Sequence, residues 1–295
     1  TISFDIEIEN ILGVFIGLPI IMFAIAPKFT HKLIGRGGIY FYNEGIEKYN
    51  LGNYKEAIAD FSEAISIFNK GPKKDINISK NLQNNLTLRS NSYLMLSEYK
   101  LALIDADKLV EINTNDSLHY LLRGNIKNNI SDFKGAIKDV DKAIQISPYD
   151  YKNYSALGNI KERSGDFSGS IIAYKKAIER NSNDPDLIYT LGTVKHYSGD
   201  YKGAIDEYQK ALKIKPNDAF TYVCIGSAKH ALNDYQEAIS YFDLAIEILP
   251  NSGSIYRNRG YSKKELGDLK GACKDWAKGS DLGDKEAKDL FQKYC

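Results

Sequence analysis

Seven times along the chain a short turn is followed by one small side chain, and from the second occurrence on the step never changes. The turns read "GNYKEA", "SEYKLA", "SDFKGA", "GDFSGS", "GDYKGA", "NDYQEA" and "GDLKGA", and they set Ala57, Ala102, Ala136, Ser170, Ala204, Ala238 and Ala272. From Ala102 onward the spacing is 34 residues throughout, while the first interval is 45, which is 34 plus an 11-residue insertion. Polar residues and a Gly-Pro place that insertion within 69–83, "NKGPKKDINISKNLQ". A fixed step of this size means that one supersecondary unit recurs, each copy covering the apolar face of the next.

The remaining small residues keep the same register. Gly45, Ser90, Gly124, Gly158, Gly192, Gly226 and Gly260 lie 12 residues before the first set, and Ala64, Ala143, Ala177, Ala211, Ala245 and Gly279 lie seven after it. An aromatic stands four residues after the first set in five units, as Phe61, Tyr174, Tyr208, Phe242 and Trp276. Pro148, Pro216 and Pro250 close three units. Each unit therefore reads as two short helices whose backbones approach across small residues, with aromatics filling the space beside them. The turn Gly and Asp end the first helix and cap the second.

This pattern resembles the tetratricopeptide repeat (TPR) family over residues 38–282, with starts at 38, 83, 117, 151, 185, 219 and 253. The second unit departs most, with Leu109 where a small residue is expected and Ala106 where an aromatic is expected. The resemblance implies an all-α, right-handed TPR superhelix, an α-solenoid of about seven helix-turn-helix repeats. The last stretch, "GDKEAKDLFQKYC" (283–295), places Ala287, Leu290, Phe291 and Tyr294 at helical spacing and reads as a capping helix.

Ahead of the repeats, "ILGVFIGLPIIMFAIA" (11–26) is 16 residues without a charge, shorter than the roughly 20 that usually span a bilayer. Acidic residues precede it and basic ones follow, the reverse of a secretory signal, and Pro27 follows the signal-like "AIA" directly. A membrane anchor over about 11–27 is the reading preferred to a signal peptide or a helix packed on the first repeat. By the positive-inside tendency the repeats would then be cytoplasmic, in a single-pass protein; the alternative is a soluble or exported one. "GRGG" (35–38) reads as a flexible joint, since no strand precedes it to make a phosphate loop.

Composition narrows the function. Net charge is +1, which argues against a broad nucleic-acid footprint. The chain shows no P-loop, no GxSxG and no zinc spacing, so no cofactor, metal or small-molecule substrate is expected and the chain is not read as an enzyme. His196 and His230 stand one repeat apart, on neighbouring first helices about 10 Å from each other, too far to share a metal; they read as surface residues. Five N-x-[ST] triplets, at Asn77, Asn85, Asn115, Asn129 and Asn153, are expected by chance in an Asn-rich chain. Cys273 and Cys295 flank the reversal near Gly283 at similar distances. An antiparallel hairpin would bring them side by side, but a disulfide would require an oxidising compartment, in conflict with the cytoplasmic orientation. Free thiols are preferred.

In TPR proteins the first helices line a concave groove that binds peptides or partner helices. At the positions the family exposes there, this chain offers Asn125 and Asn128; Lys152, Ser155, Asn159 and Glu162; Tyr189, Thr193 and His196; Phe220, Val223, Ser227 and His230; and Arg257, Asn258 and Tyr261. Asn amides suit main-chain groups and aromatics suit side chains of an extended peptide. The two-Lys/Arg, two-Asn clamp of the chaperone-binding subfamily is not matched, because Asn125 and Asn159 lack the paired basic residues. The expected role is that of a non-catalytic scaffold or adaptor, anchored in a membrane and possessing a protein or peptide partner. Assembly of a membrane complex is one such role, and a regulatory subunit of an enzyme is a further reading.

Overall fold

The computed structural model describes the backbone of residues 27–72 and 75–295, with side chains from Arg36 onward. The anchor expected over 11–26 lies outside the described residues. Among those described there are fifteen helices and no strand. In chain order they are α1 (Pro27–Asn50), α2 (Tyr54–Asn69), α3 (Ile76–Met95), α4 (Tyr99–Ile112), α5 (Ser117–Asn129), α6 (Phe133–Ile146), α7 (Tyr151–Arg163), α8 (Phe167–Arg180), α9 (Pro185–Tyr197), α10 (Tyr201–Ile214), α11 (Ala219–Ala231), α12 (Tyr235–Ile248), α13 (Gly253–Glu265), α14 (Leu269–Asp281) and α15 (Lys285–Tyr294). They form two compact bodies, one ending at Ile112 and the other running Asn113–Cys295. Within the second body each helix packs on the next, and α5 with α7, α9 with α11, and α11 with α13 also touch, so these first helices lie side by side.

The packing inside a repeat follows from one pairing. A Cβ built on Gly45, Gly158, Gly192, Gly226 or Gly260 would strike the ring of Phe61, Tyr174, Tyr208, Phe242 or Trp276, sixteen residues on. The missing side chain of the first helix is thus the space its partner's aromatic fills. In the third repeat Val140 replaces the ring and sits against Gly124. In the second, Ser90 uses the room to donate its hydroxyl to the Ala102 carbonyl at 3.0 Å.

The turns inside the hairpins share one backbone solution. Gly52, Ser97, Ser131, Gly165, Gly199, Asn233 and Gly267 all have positive φ, from 59° to 87°. Glycine adopts this region freely, and serine or asparagine at a modest cost. Four following helices are capped by an aspartate accepting from a glycine amide three residues on: Asp132–Gly135, Asp166–Gly169, Asp200–Gly203 and Asp268–Gly271. A side chain at that glycine would run into the capping carboxylate. Where the position is Glu56 or Glu237, the caps Asn53 and Asp234 make no such bond.

A recurring lysine ties the two helices of a repeat together. Lys48, Lys127, Lys195 and Lys263 each reach an acid twelve residues later, Asp60, Asp139, Glu207 and Asp275, at 2.6–2.8 Å. Where that acid is replaced, by Ala173 or Tyr241, Lys161 turns instead to the turn residue Asp166, and Lys229 to Glu237 at 2.6 Å and, more distantly, Asp234. In repeats two, three and seven the acid also accepts a two-pronged bond from an arginine: Arg89–Asp105, Arg123–Asp139 and Arg259–Asp275.

Two expectations need correction. The segment 35–38 is not a joint, because α1 runs through it, and Gly38 packs directly against the Phe68 ring. The second repeat does not start at 83: around the insertion α2 is longer than the other second helices, and α3 begins at Ile76 and has 20 residues where later first helices have 13. In α15 only Ala287 is fully covered, while Phe291 is 40% exposed and Tyr294 stacks on Trp276 with centroids 5.6 Å apart.

Candidate functional site

The first helices of the second body, α5, α7, α9, α11 and α13, begin in the same way. Asp116, Asp150, Asp184 and Asp218 each accept amide bonds from the first turn, while Ser252 makes no cap bond. Equal starts put equal positions in line across neighbouring helices. One such line runs Leu118, Lys152, Asp186, Phe220 and Ser254, and every member is exposed. Of its two apolar members Phe220 is 68% exposed and Leu118 59%.

The structure divides the expected binding residues into two groups. Several are spent on lateral bonds between neighbouring first helices. The Asn128 amide donates to Asn159 Oδ1 at 2.8 Å. The Tyr189 hydroxyl lies 3.2 Å from Cys224 Sγ, and His230 Nδ1 shares a hydrogen bond with the Ser262 hydroxyl at 2.9 Å. Arg257 reaches Asp284 at 2.9 Å and Glu286 at 3.1 Å, and Tyr261 donates to Glu286 at 2.9 Å, so these two face the cap. Thr193 donates to the Tyr189 carbonyl within its own helix. The second group, Asn125, Lys152, Phe220, Ser227 and the Asn258 side chain, is exposed or half-buried and engaged in none of these bonds. Glu162 is half-buried, and burial pushes its carboxyl up.

The two histidines are half-buried at the surface. Each ring packs edge-on against a tyrosine of the second helix, His196 on Tyr201 and His230 on Tyr235, with centroids 5.1 Å apart in both cases. Burial lowers both from the ordinary 6.5. Among the described residues no group of His, Cys, Asp or Glu has metal-binding geometry.

Sequence reading missed a cavity on this face. It measures about 250 Å³ and is lined by Pro185, Asp186, Tyr189, Ala211, Lys215, Asp218, Phe220 and Thr221. Its elements are the first turns of α9 and α11 and the end of α10. The signal in the sequence was the 34-residue step from Asp186 to Phe220, which sets a carboxylate and a ring side by side.

At the cap, Cys273 and Cys295 are joined as a disulfide with Cα atoms 5.8 Å apart, not held as free thiols. Cys224 is free, and burial raises its thiol. Among the described residues no helix is long and apolar enough to cross a membrane.

Paired helices recurring with glycine-on-ring contacts define a helical-repeat protein. Models of the TPR repeat match residues 192–233, and models of the tetratricopeptide repeat match 40–70, 151–184 and 221–252. The chain is a member of the tetratricopeptide repeat family. No curated protein matches it. Solved structures share its fold. The C-terminal part of a TPR repeat-containing protein from Cytophaga hutchinsonii is 23% identical, covers 84% of this chain and 98% of its own, and has a TM-score of 0.64. A tetratricopeptide repeat protein from Parabacteroides merdae is 14% identical, covering 87% and 98%, with a TM-score of 0.63. YrrB, described as a TPR protein with an unusual peptide-binding site, is 22% identical, covering 64% and 98%, with a TM-score of 0.54.

Proposed function

We propose that this protein is a non-catalytic scaffold that holds a peptide or helical segment of a partner on the first-helix face of residues 113–295. The observation that carries this reading is the contrast on that face. Lateral bonds fix Asn128, Asn159, Tyr189 and His230 in place, while Asn125, Lys152, Asp186 and Phe220 stand exposed between them. A rigid frame with uncommitted side chains loses little entropy on binding. The peptide-binding site named for YrrB supports the same use of the fold. Capture of partners by the full chain tests it: Phe220→Ala, which leaves the core intact, should reduce recovery. Equal recovery by the parent, Phe220→Ala and a Lys152→Glu/Asn125→Ala variant would overturn the reading.

Anchoring through residues 11–26 belongs to this proposal, with assembly of a membrane complex as its setting. Retention in membranes through alkaline carbonate extraction is the expected result, and release would count against it. A second reading concerns the compartment and rests on the Cys273–Cys295 disulfide. Such bonds persist outside the reducing cytosol, so the repeats work on an oxidising side, opposite to the orientation the flanking charges suggest. Thiol alkylation in cell extracts before and after reduction should label only Cys224 at first, then all three cysteines.

A further inference from the structure

We infer that the cavity between Asp186 and Phe220 is a pocket for a basic side chain, and that the partner segment carries an arginine to fill it. The inference rests on the scaffold reading above and names what that face selects. Part of the lining is apolar: Phe220, 68% exposed, is joined by Tyr189, Pro185 and Ala211. Tyr189 is placed by its hydroxyl's contact with Cys224 and by its ring against Tyr208.

The polar groups in the pocket differ in what they already hold. Asp218 accepts from the Thr221 amide at 2.9 Å and hydroxyl at 2.7 Å, and its other oxygen lies 3.4 Å from Lys215. Lys215 is thereby partnered. Among the described residues the Asp186 carboxylate has no hydrogen-bond or ion-pair partner, although its own amide donates to Asp184. The free charge in the cavity is therefore negative.

Two helix N-termini open here, and alone they would favour an anion. Both are already answered by carboxylates of the chain, Asp184 on α9 and Asp218 on α11. What remains is an aromatic face beside an unpaired carboxylate. A guanidinium meets both demands at once: it stacks on a ring and offers paired donors to a carboxylate. A volume of about 250 Å³ admits one long side chain. A glutamate would face Asp186 directly, and an aliphatic side chain would leave that carboxylate covered and unpaired.

The test uses the full chain and a random heptapeptide display library. Selected peptides should share one arginine, with lysine as the weaker substitute. For a selected peptide, Arg→Ala should weaken binding about tenfold or more, and Asp186→Asn and Phe220→Ala in the protein should each cost about tenfold. Both positions are exposed, so the variants should melt like the parent. Asp186→Lys should shift a fresh selection away from basic residues. Peptides enriched without a basic residue, or bound equally by Asp186→Asn and Phe220→Ala, would overturn the pocket and leave the scaffold standing. Failure to enrich any peptide, together with loss of partner capture, would overturn both.

Discussion

At the scale of single residues, the fold depends on side chains that are absent. A Cβ on Gly192 would lie 2.7 Å from Tyr208 Cε1 and 3.3 Å from the Ala204 carbonyl oxygen. The Tyr208 ring is fully buried and has nowhere to retreat. Gly192→Ala should therefore destabilise the protein by about 1–3 kcal/mol through overpacking, despite alanine's better helix propensity. Denaturant unfolding checks the sign: a gain in stability would mean that the ring and glycine do not share this space. The lysine pairs supply a second residue-scale test. Lys195 meets the buried Glu207 at 2.6 Å. Lys195→Met leaves Glu207 in the core with only the exposed Lys210, at a cost of roughly 1–3 kcal/mol, because a buried carboxylate has lost the nearer of its two partners. Adding Glu207→Leu should recover most of that loss. A double variant as weak as the single one would show that the pair contributes more than charge compensation.

At the scale of helices, what could be read from the sequence was what repeats with a fixed size or shape. The small residues, the turn glycines and the aromatic positions all stand where the 34-residue step put them, because steric exclusion is visible in residue size. The lysine stripe repeats with the same step from Lys127 to Lys263, and residue size alone does not reveal it. Its meaning depends on the acid twelve residues later, which comes and goes. The helix through 35–38 was misread because glycine there signals looseness when seen alone; the close approach of Phe68 is a long-range fact. The histidines' ring contacts are local, since Tyr201 and Tyr235 stand only five residues on, just past the turn. Of the candidate face, the positions were legible but not their lateral bonds, which join residues about one repeat apart. The disulfide between α14 and α15 belongs to this scale as well. It spans 22 residues, so chain entropy alone predicts about 3 kcal/mol of stabilisation for the terminal hairpin. Reduction should raise hydrogen exchange in α14 and α15 while leaving α9 and α10 unchanged. Uniform protection before and after reduction would mean that packing of Ala287 and Tyr294 suffices to hold the cap.

At the scale of the molecule, repeats that touch only their neighbours need not lose stability together. Acid should show this, because the groups most sensitive to it are not spread evenly. His196 and His230 lie in repeats five and six, and burial holds both below 6.5. The unfolded chain takes up protons first, so the stability they contribute is complete above 6.5 and falls as pH drops towards their folded values. His196 Nδ1 is buried with no partner, between Tyr197 and Tyr201, so nothing in the fold compensates a charge there. Glu207 adds a second, lower step: burial alone would raise it, but Lys195 and Lys210 outweigh that and hold it below 4.5. Its contribution is present above 4.5 and is lost as pH falls through the depressed folded value. Glu162 in repeat four works in the opposite sense, since its raised carboxyl makes the fold easier to protonate and so relieves strain as pH falls. The net expectation is a local one. Between about pH 7 and pH 5, exchange should rise first in α9–α12, ahead of α1–α4, and His196→Gln should flatten that rise. If the parent and His196→Gln lose protection in parallel, or if every helix loosens at the same pH, the acid response is global and the nearest-neighbour picture of this array is wrong.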